Sequence, residues 1–322
     1  RKEKKSRPLL VTDQGLAKLG VPEKVLRVLK DAGLDPICFD GAVPNPTFYC
    51  IEDGFKVYQK EGCDCLIALG GGSAMDCAKG IGIRSAYPKK SLSSFKGVLH
   101  VHRRIPLFFA IPTTAGTGSE ATKFFVYTDT ATDAKLLMKG DALLPKLAVI
   151  DWTYTISSPV SITVATGMDA LTHAVEAYTS KKANPITDIY CLDAIKRIFK
   201  YLPAAAKDGN DRTAREQMAL AAYEAGVCIN NSSVTLVHGM SRPIGALFHV
   251  PHGISNAMLI TECLRFALDG EGAEERFAKI AEEIGEAEKT DSPSCASKKF
   301  LGALERLTKT LEVPSLREYG ID

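Results

Sequence analysis

In the first half of the chain, short apolar runs alternate with helical periodicities. Residues 9–12, 37–39, 66–69, 107–111, 124–127 and 147–150 read as strands. Residues 22–32, 51–61 and a segment beginning near Ala74 read as helices. In the first of these, Pro22 fits the first turn, Val25, Leu26, Leu29 and Ala32 recur at helical spacing, and Gly33 is a stop. Strands alternating with helices predict a parallel sheet covered on both faces. After Asp151 the strand signal almost vanishes. Residues 161–179, 185–202, 211–227, 234–248, 254–268, 274–284 and 296–311 all carry helical patterns. The fold class expected is α/β followed by all-α, in two domains, 1–155 and 156–322, with the change of character at 151–160.

The third apolar run leads directly into Gly70-Gly71-Gly72-Ser73 and a helix. Glycines let the backbone approach an anion, and a helix start offers free N–H groups and a positive dipole end. The motif departs from G-x-G-x-x-G and follows the third strand rather than the first, so a tight strand-to-helix turn stands as the alternative. Asp13 and Asp40 end the first two strands. Either could bond an adenosine ribose, which would favour NAD over NADP, and either could simply cap a turn. Pro112-Thr-Thr-Ala-Gly-Thr-Gly-Ser-Glu120 follows another strand. Its hydroxyls at Thr113, Thr114 and Thr117 suit phosphate or carboxamide, while Thr117 and Glu120 also fit a capping box.

In the helical half, Asp169 and His173 lie four residues apart, so they share one helix face. His238 falls in the apolar stretch Val234–Met240, where an unpartnered imidazole is costly, and His252 follows Pro251. One acid and three imidazoles suit a first-row divalent cation, Fe2+ or Zn2+. Asp169, His173 and Glu176 also form a polar stripe of the kind that is normally solvated. His249 could be a proton relay, a support for the ligands or a surface residue. His100 and His102 have metal-like His-x-His spacing but no nearby acid, and are left out of the set.

The chain has 322 residues, which is enough for two domains with real cores. A net charge of +2 names no partner and shows no concentrated basic surface for nucleic acid. The basic run from Arg1 to Arg7 reads as a solvated end. Nine cysteines, an odd number with no secretory signal before them, imply reduced thiols and a cytoplasmic protein. Cys63 and Cys65 lack zinc-finger spacing and a second pair. No apolar run reaches the about 20 residues needed to span a bilayer. A start at Arg1 rather than Met points to a processed or trimmed product.

Five stretches together resemble the iron-containing alcohol dehydrogenase family. They are Asp40-Gly-Ala-Val-Pro-Asn-Pro-Thr47, Gly70–Lys79, Pro112–Glu120, Gly167–Glu176, and His238-Gly-Met with Pro251-His-Gly253. The resemblance implies an N-terminal Rossmann-like dinucleotide domain and an all-helical metal domain, a dehydroquinate-synthase-like arrangement. It implies Asp169, His173, His238 and His252 as metal ligands. It assigns Gly71, Gly72 and Ser73 to the pyrophosphate, Asp13 to the ribose, and Asn45, Thr113, Thr114, Thr117 and Lys135 to the rest of the NAD site. The implied reaction is hydride transfer between NAD(H) and a short primary alcohol or diol, or the matching aldehyde, in a homodimer or larger assembly. A glycerol-dehydrogenase-like or dehydroquinate-synthase-like enzyme and a catalytically silent dinucleotide-binding protein are the rivals. Three departures stand out. Arg242 occupies a position where many relatives have a proton-transferring histidine, and arginine cannot serve as a base, so His249 is the candidate substitute. The chain also lacks the short segment that usually precedes the first strand, and it ends at Asp322 where relatives continue.

Overall fold

The computed structural model describes residues 5–94, 101–130, 134–270 and 272–321. His100 and the first four residues of the basic run lie outside the described residues. The chain divides into two compact units, residues 1–113 with 119–154 and residues 114–118 with 155–322. The single cut expected at 155/156 therefore misses a five-residue excursion, because residues 114–118 cluster with the helices although they directly follow a strand.

The first unit contains β1 (Pro8–Asp13), α1 (Gln14–Lys18), α2 (Val21–Asp31), β2 (Ile37–Ala42), α3 (Phe48–Lys60), β3 (Cys65–Gly70), α4 (Gly72–Ala86), β4 (Leu107–Pro112), β5 (Phe124–Asp129), β6 (Ala134–Lys139) and β7 (Leu147–Ala148). Five of the strands form a parallel sheet in the order β2-β1-β3-β4-β7. Every residue of β3 is buried, as a central parallel strand with both faces covered must be. Leu66 and Ala68 join the core with Ile51 and Phe55 of α3 and Met75, Ala78 and Ile81 of α4. Ile67 and Leu69 face the opposite way, toward Val21 and Val25 of α2. This period-two division of one apolar run lets it hold helices on both faces.

Three elements differ from the sequence expectation. The strand at 124–127 is not in the parallel sheet. It pairs antiparallel with β6, which the pattern does not predict, because Ala-Lys-Leu-Leu-Met-Lys lacks the β-branched residues that mark strands. The strand at 147–150 shrinks to two residues at the sheet edge. A short helix, α1, follows β1, where the Asp13 side chain accepts a hydrogen bond from the Leu16 N–H at 3.0 Å and caps it.

The second unit consists of α5 (Val160–Thr179), α6 (Pro185–Lys207), α7 (Arg212–Asn231), α8 (Leu236–Leu247), α9 (His252–Leu268), α10 (Ala273–Glu283) and α11 (Pro293–Thr310). α5 is central and packs on α6, α7 and α9. Its residues 167–178 are all buried, which makes it a core helix rather than an amphipathic surface one. α6 begins with a capping box, in which the Asn184 carbonyl oxygen of the side chain accepts from the Thr187 N–H and Thr187 Oγ1 accepts from the Asn184 N–H. It continues through Pro203 instead of ending at Leu202.

Candidate metal centre and nucleotide-binding edge

In the helical unit, the polar stripe of α5 turns inward. Asp169, His173 and Glu176 are buried, as is His238 on α8. The four expected ligands come from three helices of one unit. Asp169, His238 and His252 present an oxygen and two nitrogens within 4.8 Å of one another. Nε2 of His238 and of His252 lie 3.9 and 3.7 Å from Asp169 Oδ1. His173 stands outside that trio, yet its Nε2 is 3.8 Å from the same Asp169 oxygen. Its ring stacks on that of His238 at 4.8 Å between centroids. Three of the side chains are nearly sealed, whereas His252 is 38% exposed, so the cluster opens to solvent on the His252 side.

Local sequence explains the convergence. A spacing of four residues puts Asp169 and His173 one turn apart on α5. His252 is the first residue of α9, after the N-cap Pro251. Gly253 allows α9 to abut α5, because a Cβ at that position would lie 2.2 Å from the Ala165 carbonyl oxygen. Only glycine permits this approach, and it sets His252 beside α5.

Two further residues, to which sequence reasoning gives no role, complete the cluster. Glu176, seven residues after Asp169, accepts from the Thr235 hydroxyl at 2.9 Å and the Val237 N–H at 2.6 Å through Oε1. Its Oε2 lies 2.5 Å from His238 Nδ1. A proton on Nδ1 leaves the Nε2 lone pair directed into the cluster, which is how an outer carboxylate orients a ligating imidazole. Burial works against the Glu176 charge, but His238 and the Thr235 contacts outweigh it and hold the carboxyl below its usual range. Asn256, one turn after His252 on α9, donates from Nδ2 to Asp169 Oδ1 at 2.7 Å. The same nitrogen sits 3.3 Å from His238 Nε2 and 3.4 Å from His252 Nε2. The i, i+4 relation of Asn256 to His252 and the i, i+7 relation of Glu176 to Asp169 are the signals available in the sequence.

The electrostatics follow from that arrangement. Burial disfavours the Asp169 charge, but His173, His252, His238 and the Asn256 amide more than compensate, so its pKa is lowered. Burial keeps His173 neutral, against the pull of Asp169. The Gly116 backbone lies beside its ring and favours protonation, but Nδ1 makes no hydrogen bond of normal geometry. Asn256 Oδ1 is also buried without a partner. Acceptors thus outnumber donors, and a carboxylate and imidazole nitrogens face one small volume. A divalent cation fits that donor set. His249 adopts a left-handed backbone (φ 55°), is exposed, and has no hydrogen-bond partner among the described residues.

In the α/β unit, the chain leaves β1 for β2 on one side and later adds β3 on the other, so the strand order reverses between β1 and β3. The carboxyl ends beside such a reversal are where open parallel sheets bind ligands. Asp13 ends β1 there, and a Cβ built on Gly70 would lie 3.7 Å from its Oδ2. Gly70 has φ 154°, and a Cβ there would lie 2.6 Å from the Ala74 Cβ, leaving no room for a side chain. Gly71 is the N-cap of α4 with no side-chain cap, so the N–H groups of Gly72 and Ser73 at the helix start are uncapped by side chains. The Thr113 N–H donates to the Gly70 carbonyl at 3.1 Å, placing Thr113 beside the glycine turn. Asn45 (φ 51°) and Lys135 meet a common neighbour. The Thr128 hydroxyl donates to the Asn45 carbonyl at 3.5 Å, and Thr128 pairs with Lys135 across the β5–β6 hairpin. Burial lowers the Lys135 pKa. Thr114 and Thr117 cluster instead with the helical unit. No α-helix starts after Thr117, only a 3-10 turn at Ser119–Ala121 in which Glu120 is buried.

Comparison with known proteins agrees with both halves. Residues 1–152 match the family described as iron-containing alcohol dehydrogenase, and residues 163–322 match the C-terminal domain of the Fe-containing alcohol dehydrogenase family. The chain is 40% identical over 307 residues to the NAD-dependent methanol dehydrogenase of Bacillus methanolicus, covering 95% of this chain and 80% of that protein. It is 40% identical over 316 residues to the 1,3-propanediol dehydrogenase of Citrobacter freundii, covering 97% and 81%. A crystal structure of 1,3-propanediol oxidoreductase superposes with a TM-score of 0.95 at 40% identity, covering 99% of this chain and 83% of that one.

Proposed function

This chain belongs to the iron-containing alcohol dehydrogenase family, and from that premise we propose that it interconverts short primary alcohols or diols and their aldehydes with NAD(H). The observation that carries the proposal is the convergence of Asp169, His238 and His252 within 4.8 Å, with His173 against the same carboxylate. These four side chains would hold Fe2+, or Zn2+ where that is the cation supplied. A bound cation supplies Lewis acidity toward the substrate oxygen, and NAD(H) accepts or supplies the hydride. The chain's own residues do the rest. Glu176 fixes the His238 tautomer, and Asn256 steadies the Asp169 carboxylate. The side left open at His252 admits substrate.

In the α/β unit, the glycine turn and the uncapped start of α4 would receive the pyrophosphate at Gly71, Gly72 and Ser73. Asp13, Asn45, Thr113 and Lys135 would line the remainder of the NAD site in this unit, whereas Thr114 and Thr117, expected with them, belong to the helical unit. The dual use of Asp13, as cap of α1 and neighbour of Gly70, is compatible with ribose recognition because a carboxylate has a second oxygen to offer. His249 stands as the candidate for proton transfer on its position three residues before His252. The nine cysteines include no disulfide, in keeping with a cytoplasmic setting. Ile186, Ile189 and Tyr190 expose one apolar face of α6, in keeping with a homodimer or larger assembly.

The test is metal analysis of the purified chain paired with NADH oxidation over a series of short aldehydes. His252→Ala is expected to lose metal-dependent turnover and to retain NADH binding, read by nicotinamide fluorescence. Full turnover in that variant would overturn the ligand assignment.

A further inference from the structure

We infer that Arg242 selects substrates carrying a carboxylate a few carbons from the reacting carbon, so that hydroxy acids or aldehyde acids are preferred over neutral alcohols of the same length. The inference deepens the dehydrogenase reading above and rests on it.

Arg242 lies four residues after His238 on α8, one turn further along the same helix surface. Its side chain is exposed and, among the described residues, has no hydrogen-bond, ion-pair or ring partner. Several other arginines of the helical unit are engaged, whereas Arg212 and Arg317, also without a partner among the described residues, lie far along the chain from the four ligands. Arg197 pairs with Asp193, Arg215 bonds Thr163, Arg265 pairs with Glu262 and Glu305, and Arg276 pairs with Asp188. Arg242 is the one that stands a single turn from a residue of the metal cluster. Gly239 lies beside both His238 and Arg242, and a Cβ there would meet nothing within 4 Å. No side chain of residue 239 therefore obstructs the helix surface between them. Pro243, inside the helix, has no N–H to bond the Gly239 carbonyl, which leaves that polar edge bare.

An arginine fork recognises a carboxylate with two parallel hydrogen bonds, and its charge does not depend on pH in the working range. A cation held at the four ligands and an arginine rooted one helical turn from His238 would make two positive poles. A substrate with an oxygen at one end and a carboxylate at the other matches both. A neutral alcohol engages only the first.

The test uses the metal-loaded chain with NADH and a matched pair, 4-oxobutanoate and butanal. The ratio of their kcat/KM values should favour the anion by about tenfold or more, the contribution of a charge-assisted pair. The preference should sit mainly in KM and shrink as ionic strength rises. Arg242→Gln should bring the ratio toward one, and Arg242→Lys should restore part of it. Equal kcat/KM for the two aldehydes in the unaltered chain, or an unchanged ratio in Arg242→Gln, overturns the assignment. Turnover of neither aldehyde would instead count against the dehydrogenase reading. In that case calorimetric titration of the metal-loaded chain with 4-hydroxybutyrate and 1-butanol decides Arg242 by itself. Tighter binding of the anion that is lost in Arg242→Gln supports it, and no difference between the two ligands refutes it.

Discussion

Each unit buries a group of charged side chains, and the two groups differ in how their hydrogen-bonding capacity is met. In the α/β unit, Lys79 is fully buried and its ammonium is saturated. It donates to the carbonyls of Ser119 (2.8 Å), Thr122 (3.0 Å) and Phe124 (2.8 Å) and to the Ser119 hydroxyl (2.9 Å). Asp76 is likewise spent, on the Val126 N–H and the Ser119 hydroxyl. Such a cluster is complete and ties α4 to the segment at 119–126. In the helical unit, Asp169 and three imidazoles face one another with a single amide nitrogen among them, and both His173 Nδ1 and Asn256 Oδ1 lack partners. Buried polar groups are ordinarily satisfied. The Nε2 atoms of three imidazoles directed at one carboxylate oxygen, with a single amide nitrogen between them, suit a cation, whereas the saturation around Lys79 suits a structural role.

The sharpest way to break that contrast is to remove the acid. Asp169→Ala should abolish metal retention, measured by elemental analysis, while NADH still binds. Retained stoichiometric metal would place the centre elsewhere. Removing the saturated cation should do the opposite. Lys79→Met should leave metal content intact but lower stability by about 3–5 kcal/mol in a denaturant titration, because three carbonyls and the Ser119 hydroxyl lose their buried donor and Asp76 loses a nearby compensating charge. A smaller effect is expected from Glu176→Gln. Weakening the carboxylate behind His238 should reduce metal affinity about 10–100-fold, seen by competition with a chelator, without loss of fold by circular dichroism.

A further effect concerns pH. Burial pushes the Glu120 carboxyl up to about 7 from 4.5, against the pull of Lys79. Between those values the unfolded chain has ionised at this position and the folded chain still holds the proton. This group therefore favours folding most below about pH 4.5, and its contribution falls as pH rises toward 7. Asp169 and Glu176, with lowered pKa values, act in the opposite direction and lose stability as pH falls. The difference between the unaltered chain and Glu120→Gln isolates the former. Glu120→Gln should gain stability relative to the unaltered chain as pH rises from 4.5 to 7, by up to about 3 kcal/mol. A difference that does not change with pH would show that Glu120 ionises normally.

Periodicity and spacing alone determine much of this protein. The alternation in the first half specifies the strands of the parallel sheet, because a strand covered on both faces has to be apolar at consecutive positions, as Cys65–Gly70 is. The long helical patterns specify the second unit, and the four-residue interval specifies that Asp169 and His173 share a face. Tertiary structure decides what periodicity cannot express. A polar stripe on one helix looks solvated until neighbouring helices cover it, so the burial of Asp169, His173 and Glu176 depends on α8 and on α9, the latter brought close to α5 by Gly253. Glu176 and Asn256 gain roles only through neighbours about 60 and 87 residues away in sequence. The membership of residues 114–118 in the helical unit likewise rests on contacts between distant segments. Local sequence sets which face a residue occupies; only packing sets what that face meets.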